Sequence, residues 1–281
     1  MGDSSRVRDN TYVNGHGQAV VKTHQDRTAE NTCGYLLPTL KKLTEANPKV
    51  TLIDIGCGVG SITVGLAAYI PQGTVTAFDL SENVLAPARA AAEAANATNI
   101  EFATGTVLDL PFPDDSFDVV HGSQMLQHLT DRETGLREMY RVCKPGGVVA
   151  VRDMCLHTWT ISPQPEWWTK WHGIVMGQLN STHIKGRDGP QALALCLSIG
   201  IKAAQVKSSA GCWVWATPEE RIPFAEAWAK RITDSPMAEW ALKDGGYSKK
   251  QLEDIGKGWI EWSREPAGWL GVMNAEVLIT K

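Results

Sequence analysis

One acid followed at alternate positions by three glycines, Asp54, Gly56, Gly58 and Gly60 in LIDIGCGVG, is the strongest chemical signal in this chain. Glycine lacks a Cβ, so a loop built this way lets backbone amides approach a ligand closely. SITVGLAAYI follows directly and reads as a helix whose N-terminus faces the same point. The dinucleotide-binding fingerprint places glycines at positions one, three and six. Counted from Gly56, the sixth residue here is Ser61, and the third glycine comes one place early. Asp54 would repel a pyrophosphate but suits a ligand with a cationic amino group and a sulfonium. A second acid, Asp79 in TVTAFDLS, lies 23 residues beyond Gly56, the spacing of an acceptor for ribose hydroxyls. Taken alone, the glycine loop is also compatible with a purely structural strand–turn–helix.

The elements that would position these residues follow in order. Thr51 to Ile55, Thr74 to Ser81 and Ile100 to Thr106 read as three strands, and FDVVHGSQMLQHLTD as a fourth running into a helix start. LREMYRVCKPGGVVAVRDM reads as an amphipathic helix, a Lys-Pro-Gly-Gly turn and a fifth strand. Asp-x-Gly-x-Gly-x-Gly and the segments from Leu52 to Met154 resemble the class I S-adenosylmethionine (SAM)-dependent methyltransferases. The similarity is to the small-molecule enzymes of the ubiquinone and menaquinone biosynthesis type found in fungal and actinobacterial secondary metabolism. HQDRTAENTCGYLLPTL and WVWATPEER resemble the same group.

The resemblance implies an α/β, Rossmann-like fold: a seven-stranded, mostly parallel sheet with helices on both faces and a helical cap. It implies SAM as cofactor, S-adenosylhomocysteine as product, and a small-molecule acceptor methylated at carbon, oxygen, nitrogen or sulfur. Asp54, Gly56, Gly58, Gly60, Asp79, Leu80, Thr106, Val107 and Gln124 are then the expected cofactor contacts. The chain departs from the pattern at Gly105-Thr106-Val107, where the family has an aspartate for the adenine amino group. Thr106 can accept one hydrogen bond there, and Asp109 is the nearby acid that could replace the missing one.

Methyl transfer from a sulfonium is an in-line displacement, so positioning and water exclusion dominate, and an acidic acceptor also needs its proton removed. His128 is the leading candidate base, because an unperturbed imidazole titrates near pH 6.5 and residue 128 lies about one turn past the fourth strand. The competing reading makes it a packing or capping residue. His24, in the N-terminal segment expected to cover the cofactor, is the second candidate, and His121 reads as a buried, satisfied strand residue.

All eleven tryptophans lie after residue 150, so the two halves of the chain differ in kind. The expected organisation is a helical segment at 1–48, with a polar stretch at 1–12 that is mobile before ligand binds. A SAM-binding core at 49–154 and a Trp-rich cap interleaved with the last strands at 155–281 complete a single domain. Within the cap the reading is a helical insertion at Cys155 to Ile184, a helix at Pro190 to Ile199, strand six at Ala203 to Ser209, and two or three helices from Pro218 to Glu265. Most tryptophans should glue these helices to the sheet, with Trp159, Trp171 and Trp213 forming an apolar wall for the acceptor. A net charge of −4 argues against a nucleic-acid partner, and no apolar run is long enough for a signal or a membrane span. Six cysteines without zinc-site spacing read as reduced thiols of a cytoplasmic protein with no metal. Two alternatives share the loop: a SAM-binding enzyme catalysing a cyclisation, and a nicotinamide-dependent oxidoreductase.

Overall fold

The structure, a computed structural model, describes residues 27–181 and 191–281. The stretch at 1–12 and His24 lie outside the described residues, as do the ends of the expected helices at 182–184 and at 190.

β1 (Thr51–Ile55) is apolar on both faces apart from Asp54, and every residue after Thr51 is buried. Such a continuous buried run belongs in the middle of a parallel sheet. β1 pairs in parallel with β2 (Thr74–Asp79) on one side and β4 (Phe117–Ser123) on the other. β3 (Ile100–Thr104) extends the β2 edge, and β5 (Cys143–Met154) lies beyond β4, also parallel. α3 (Ser61–Tyr69) and α4 (Glu82–Ala94) make the first two crossovers, and α5 (Arg132–Val142) joins β4 to β5. The chain thus winds from β1 out to β3 and returns to β4, so a crevice opens where the order reverses, at the C-terminal ends of β1 and β4.

β8 (Trp269–Thr280) runs antiparallel to β5, and β7 (Val206–Trp215) runs antiparallel to β8 on its far side. Seven strands therefore form the expected sheet. An eighth, β6 (Thr160–Ser162), pairs with Trp269 to Gly271 at the end of β8, on the edge that β5 occupies further along. Three residues are too few for a periodic signal, and β6 was not expected. β7 is also longer than the expected Ala203 to Ser209, because its pairing with β8 continues to Trp215↔Leu270. The Lys-Pro-Gly-Gly segment lies inside β5, not ahead of it: Phe117 pairs with Cys143 and Val119 with Val148, and the intervening residues bulge through Gly146 at φ +80°.

On the N-terminal side, α1 (Ala29–Thr32) and α2 (Leu37–Ala46) pack over α3 and one face of the sheet. Gly65 permits this, since a Cβ there would lie 2.7 Å from the Cβ of Ala29. The cap is built from α6 (Trp168–Ser181), α8 (Pro218–Thr233), α9 (Pro236–Lys243) and α10 (Lys249–Trp262), with α7 (Ala192–Ser198) following α6 in the chain. Three of these helices, α8 to α10, fill the long crossover between β7 and β8. Their core is aromatic, with Trp171 4.5 Å from Trp168, 4.9 Å from Trp228 and 5.2 Å from Trp259 between ring centroids. α7 instead packs with α5 under the main sheet, through Ala192 and Cys196. No helix among the described residues is long and apolar enough to cross a membrane.

At the other end of the sheet, Asp118 joins three strands. Its Oδ2 accepts from the Thr51 amide and hydroxyl, both at 2.8 Å, and from Lys144 Nζ at 2.9 Å. Burial raises the Asp118 pKa, but these hydrogen bonds and Lys144 outweigh it and hold the carboxyl below its usual value. A depressed folded-state pKa contributes stability above the unfolded value that is lost as pH falls through the folded one. Asp118→Asn should therefore cost about 1–2 kcal/mol in urea unfolding at pH 7, with the difference from the parent shrinking below about pH 4.

Candidate active site

The crevice at the strand reversal opens into one cavity of about 1320 Å³, lined at one end by the glycine loop and at the other by the aromatic cap. Pockets for a single small ligand run to roughly 300–1,000 Å³, so this one has room for a cofactor and an acceptor together.

The loop end follows from backbone geometry. Gly56 and Cys57 donate to the Phe78 carbonyl at 2.8 and 3.1 Å, tying the loop to the end of β2. Gly56, Gly58 and Gly60 all have positive φ, a region that disfavours other residues. Their surroundings differ: a Cβ on Gly56 would meet the Met125 side chain and one on Gly60 would meet Ala88, whereas beside Gly58 there is open space. Gly58 is thus the loop position whose own Cβ site is vacant on the cavity side. Its amide donates to Asp79 Oδ2 at 3.0 Å, and the Leu80 amide donates to Asp79 Oδ1 at 2.8 Å. Two amides orient this carboxylate at the cavity wall, an acceptor-only group of the kind that suits a diol. Leu80 lies beside it and is 43% exposed at the cavity.

Thr106 and Val107 line the same end. Thr106 Oγ1 accepts from the Leu108 amide at 3.2 Å, a turn contact within its own loop. Asp109 is exposed and absent from the cavity wall, so it does not supply the missing acid; the turn after Thr106 points it outward.

Asp54 lines the cavity beneath the loop yet is only 2% exposed. Its Oδ1 meets His121 Nδ1 at 2.7 Å, and its Oδ2 accepts from Thr63 Oγ1 at 2.5 Å. The acid that the sequence aims at a cationic ligand is therefore also held by two protein donors. His121 is fully buried, and its Nε2 lies 3.4 Å from Cys33 Sγ. Burial alone would lower the imidazole pKa, but the Cys33 sulfur and the Asp54 carboxylate outweigh it and raise it to about 10.

Between the two ends of the cavity stand Gln124, Gln127 and His128. Gln124 has φ +57°, a strained conformation for a residue with a side chain, and its amide donates to the Arg152 carbonyl at 2.7 Å. Gln124 Nε2 donates to Asn274 Oδ1 at 2.9 Å, while Gln127 Nε2 donates to Gln124 Oε1 at 2.8 Å and lies 3.4 Å from His128 Nε2. His128 ends a single 3₁₀ turn, Leu126–His128, where a longer helix start was expected. Asp153, fully buried, faces this loop, and burial raises its carboxyl to about 6 against the opposing pull of Arg132. Gln127 and Asn274 were not anticipated, because a hydrogen-bonded chain through residues 124, 127, 128 and 274 is invisible until β8 is placed beside β5.

At the far end Trp159 and Trp213 line the cavity, but Trp171 does not. It is completely buried among Trp168, Trp228 and Trp259. Trp215, Phe224 and Trp228 take the wall instead. Trp159 stacks on Trp215 at 5.9 Å, and Trp215 packs on Phe224 at 4.1 Å. A signal for Trp215 was present: residues i and i+2 of a strand share a face, and Trp213 and Trp215 are so spaced. Trp213 is flanked by two guanidinium groups, Arg152 at 4.3 Å and Arg27 at 4.6 Å from the ring centroid. Arg27 and Asn31, just before and within α1, bring the N-terminal segment to the cavity wall.

These residues fit SAM on their own geometry: an open space beside Gly58, a diol acceptor at Asp79, a wall at Thr106 and Val107, and a buried acid at Asp54. Among the described residues no cluster of His, Cys, Asp or Glu could hold a metal ion.

Residues 53–151 match the Methyltransferase domain family. Over 279 residues the chain is 27% identical to an uncharacterized methyltransferase of Schizosaccharomyces pombe, covering 96% of each protein. It is 37% identical over 159 residues to a probable methyltransferase, ltbC, of Aspergillus luteorubrus, a match spanning 53% of this chain and 54% of that relative. The crystal structure of the YcgJ protein from Bacillus subtilis shares the fold, with a TM-score of 0.52 and 16% identity over 88% of this chain and 99% of that one. With the glycine loop and the strand order in place, residues 53–151 form a SAM-dependent methyltransferase domain of class I type, and SAM is its cofactor.

Proposed function

We propose that this methyltransferase acts on a small secondary metabolite with a largely apolar, ring-bearing body, and that His128 serves as its general base. The observation that carries the reading is the continuity of the cavity: the aromatic wall of Trp159, Trp213, Trp215, Phe224 and Trp228 opens without a partition onto the glycine loop. Aromatic walls favour flat or apolar acceptors through area burial and ring stacking.

When bound, SAM supplies an electrophilic methyl group on a sulfonium. The protein's own residues supply position, dryness and a path for a proton. Gly58, Asp79, Thr106 and Val107 hold the nucleoside end, and the cap excludes water from the acceptor end. His128 sits between the two, with Gln127 close to its Nε2 and Gln127 in turn held by Gln124. A base in that place takes the proton of a phenol, thiol or carbon acid as the acceptor attacks.

The test is to offer aromatic phenols, thiols and carbon acids with SAM and follow both products by mass spectrometry. A methylated acceptor formed in equal amount with S-adenosylhomocysteine supports the reading. An altered acceptor without S-adenosylhomocysteine points to a non-transfer reaction such as cyclisation.

Three substitutions divide the cavity. Asp79→Ala should weaken SAM at least tenfold by calorimetry, since charge-assisted hydrogen bonds contribute roughly 1.5–3 kcal/mol each. His128→Ala should lower kcat by about 10² with SAM affinity nearly intact. Trp228→Ala should raise the acceptor KM by about tenfold while leaving the Kd for SAM within twofold, because its ring borders only the acceptor end.

A further inference from the structure

The buried groups Cys33, His121 and Asp54 form a line that the methyl-transfer reaction does not explain. Asp54 and His121 are direct neighbours in the β1–β4 register, so their side chains meet across adjacent strands at the reversal point of the sheet. Oδ1 of Asp54 takes His121 Nδ1 at 2.7 Å, and the other imidazole nitrogen lies 3.4 Å from Cys33 Sγ. Cys33 caps α1, the helix that carries Asn31 to the cavity wall and follows Arg27. One end of the line is thus the acid under the glycine loop, and the other is the N-terminal segment that reaches over the cavity.

Simple packing would not need a histidine here. A valine or leucine would fill the space between two strands, and a buried carboxylate would then be retained only by Thr63. The imidazole instead satisfies the carboxylate and presents its second nitrogen to a residue outside the sheet. Two bonds fix its ring orientation, the arrangement that histidine ligands and catalytic histidines use to hold one tautomer.

We propose that His121 is a positioning residue that orients the Asp54 carboxylate for the cofactor, and that Cys33, by holding the far side of the imidazole, couples seating of α1 to cofactor binding. The proposal concerns cofactor affinity and is independent of which acceptor is methylated. α1 is held on the protein by Ala29 against Gly65, by Glu30 accepting from the Tyr69 hydroxyl and by Cys33 against His121, and the last of these runs through the imidazole to Asp54. Cofactor binding at Asp54 then favours the seated helix, and the seated helix favours the cofactor, as linkage requires.

The two nitrogens can be removed separately. Asparagine places an amide donor where Nδ1 stands and glutamine places one where Nε2 stands, so His121→Asn retains the bond to Asp54 and His121→Gln retains the reach to Cys33. With S-adenosylhomocysteine as the calorimetric probe, 15 °C below each variant's melting point, His121→Gln should bind at least tenfold more weakly and His121→Asn within threefold of the parent. Cys33→Ala should weaken binding about threefold, the same loss as in His121→Asn, Cys33→Ser should restore parental affinity, and Cys33→Ala added to His121→Asn should cost nothing further. Hydrogen exchange gives the second readout: S-adenosylhomocysteine should slow exchange across Ala29–Thr32 in the parent and in Cys33→Ser but not in Cys33→Ala. Parental affinity in His121→Gln, or equal losses in the Asn and Gln variants, would overturn the positioning role. Should the His121 variants not fold, Cys33→Ala alone decides, because parental affinity and parental exchange protection in that variant overturn the coupling.

Discussion

The reversal of strand order at β1 is the constraint on which the rest of the molecule depends. A parallel sheet wound in one direction would close helices over both sides of every strand end. Because the chain runs from β1 to β3 and then returns to β4, the crossover helices on either side diverge, and the carboxyl ends of β1 and β4 are left uncovered. The glycine loop and the Gln124–His128 turn hang from those ends, and Asp79 ends the neighbouring β2, so the functional groups gather around the same reversal. Asp118, Thr51 and Lys144 join the opposite ends of three strands.

A crevice with a buried acid at its base creates an electrostatic problem. An unpaired carboxylate taken out of water costs several kcal/mol, far more than the roughly 1 kcal/mol of an ordinary hydrogen bond. At Asp54, His121 and Thr63 supply a donor to each oxygen. The same logic holds on the other side of β5. There Arg152 pairs with Glu276 at 3.3 Å, Ser209 donates to Glu276, and the guanidinium lies against Trp213. Buried charges here are therefore held in pairs, Asp54 with His121 at the cavity wall and Arg152 with Glu276 beside Trp213, and breaking either pair strands the remaining partner.

The aromatic cap solves a different problem. Three helices inserted between β7 and β8 cannot pair with the sheet and are retained by side chains, through packing and through Arg221, which donates to the Glu265 and Gly268 carbonyls. Tryptophan buries more area than other residues, and edge-on ring pairs add about 0.5–1.5 kcal/mol beyond that area. Trp171 and Trp259, completely buried, do this work, and Trp159, Trp215 and Trp228 perform it on one edge while presenting another to the cavity. Glue and wall are thus parts of one cluster, separated by which ring edge meets the empty space.

Local pattern alone carried much of this. Buried strands read as apolar runs, glycines with positive φ read as glycines, and the 23-residue spacing brings Asp79 to Gly58 because one strand–helix–strand unit has a fixed length. What required the tertiary structure were contacts between residues far apart in the chain. The partners of Asp54 at residues 63 and 121, the seat of Cys33 on His121, and the chain from Asn274 to Gln127 each cross between elements whose relative placement no local period encodes. Asp109 and Trp171 show the same limit from the other side. An acid near the adenine loop and a tryptophan in the cap have the right chemistry, yet a turn sends the first outward and neighbouring rings enclose the second. Residue type and spacing determine what a side chain can do, whereas the packing of distant elements decides which atoms it meets.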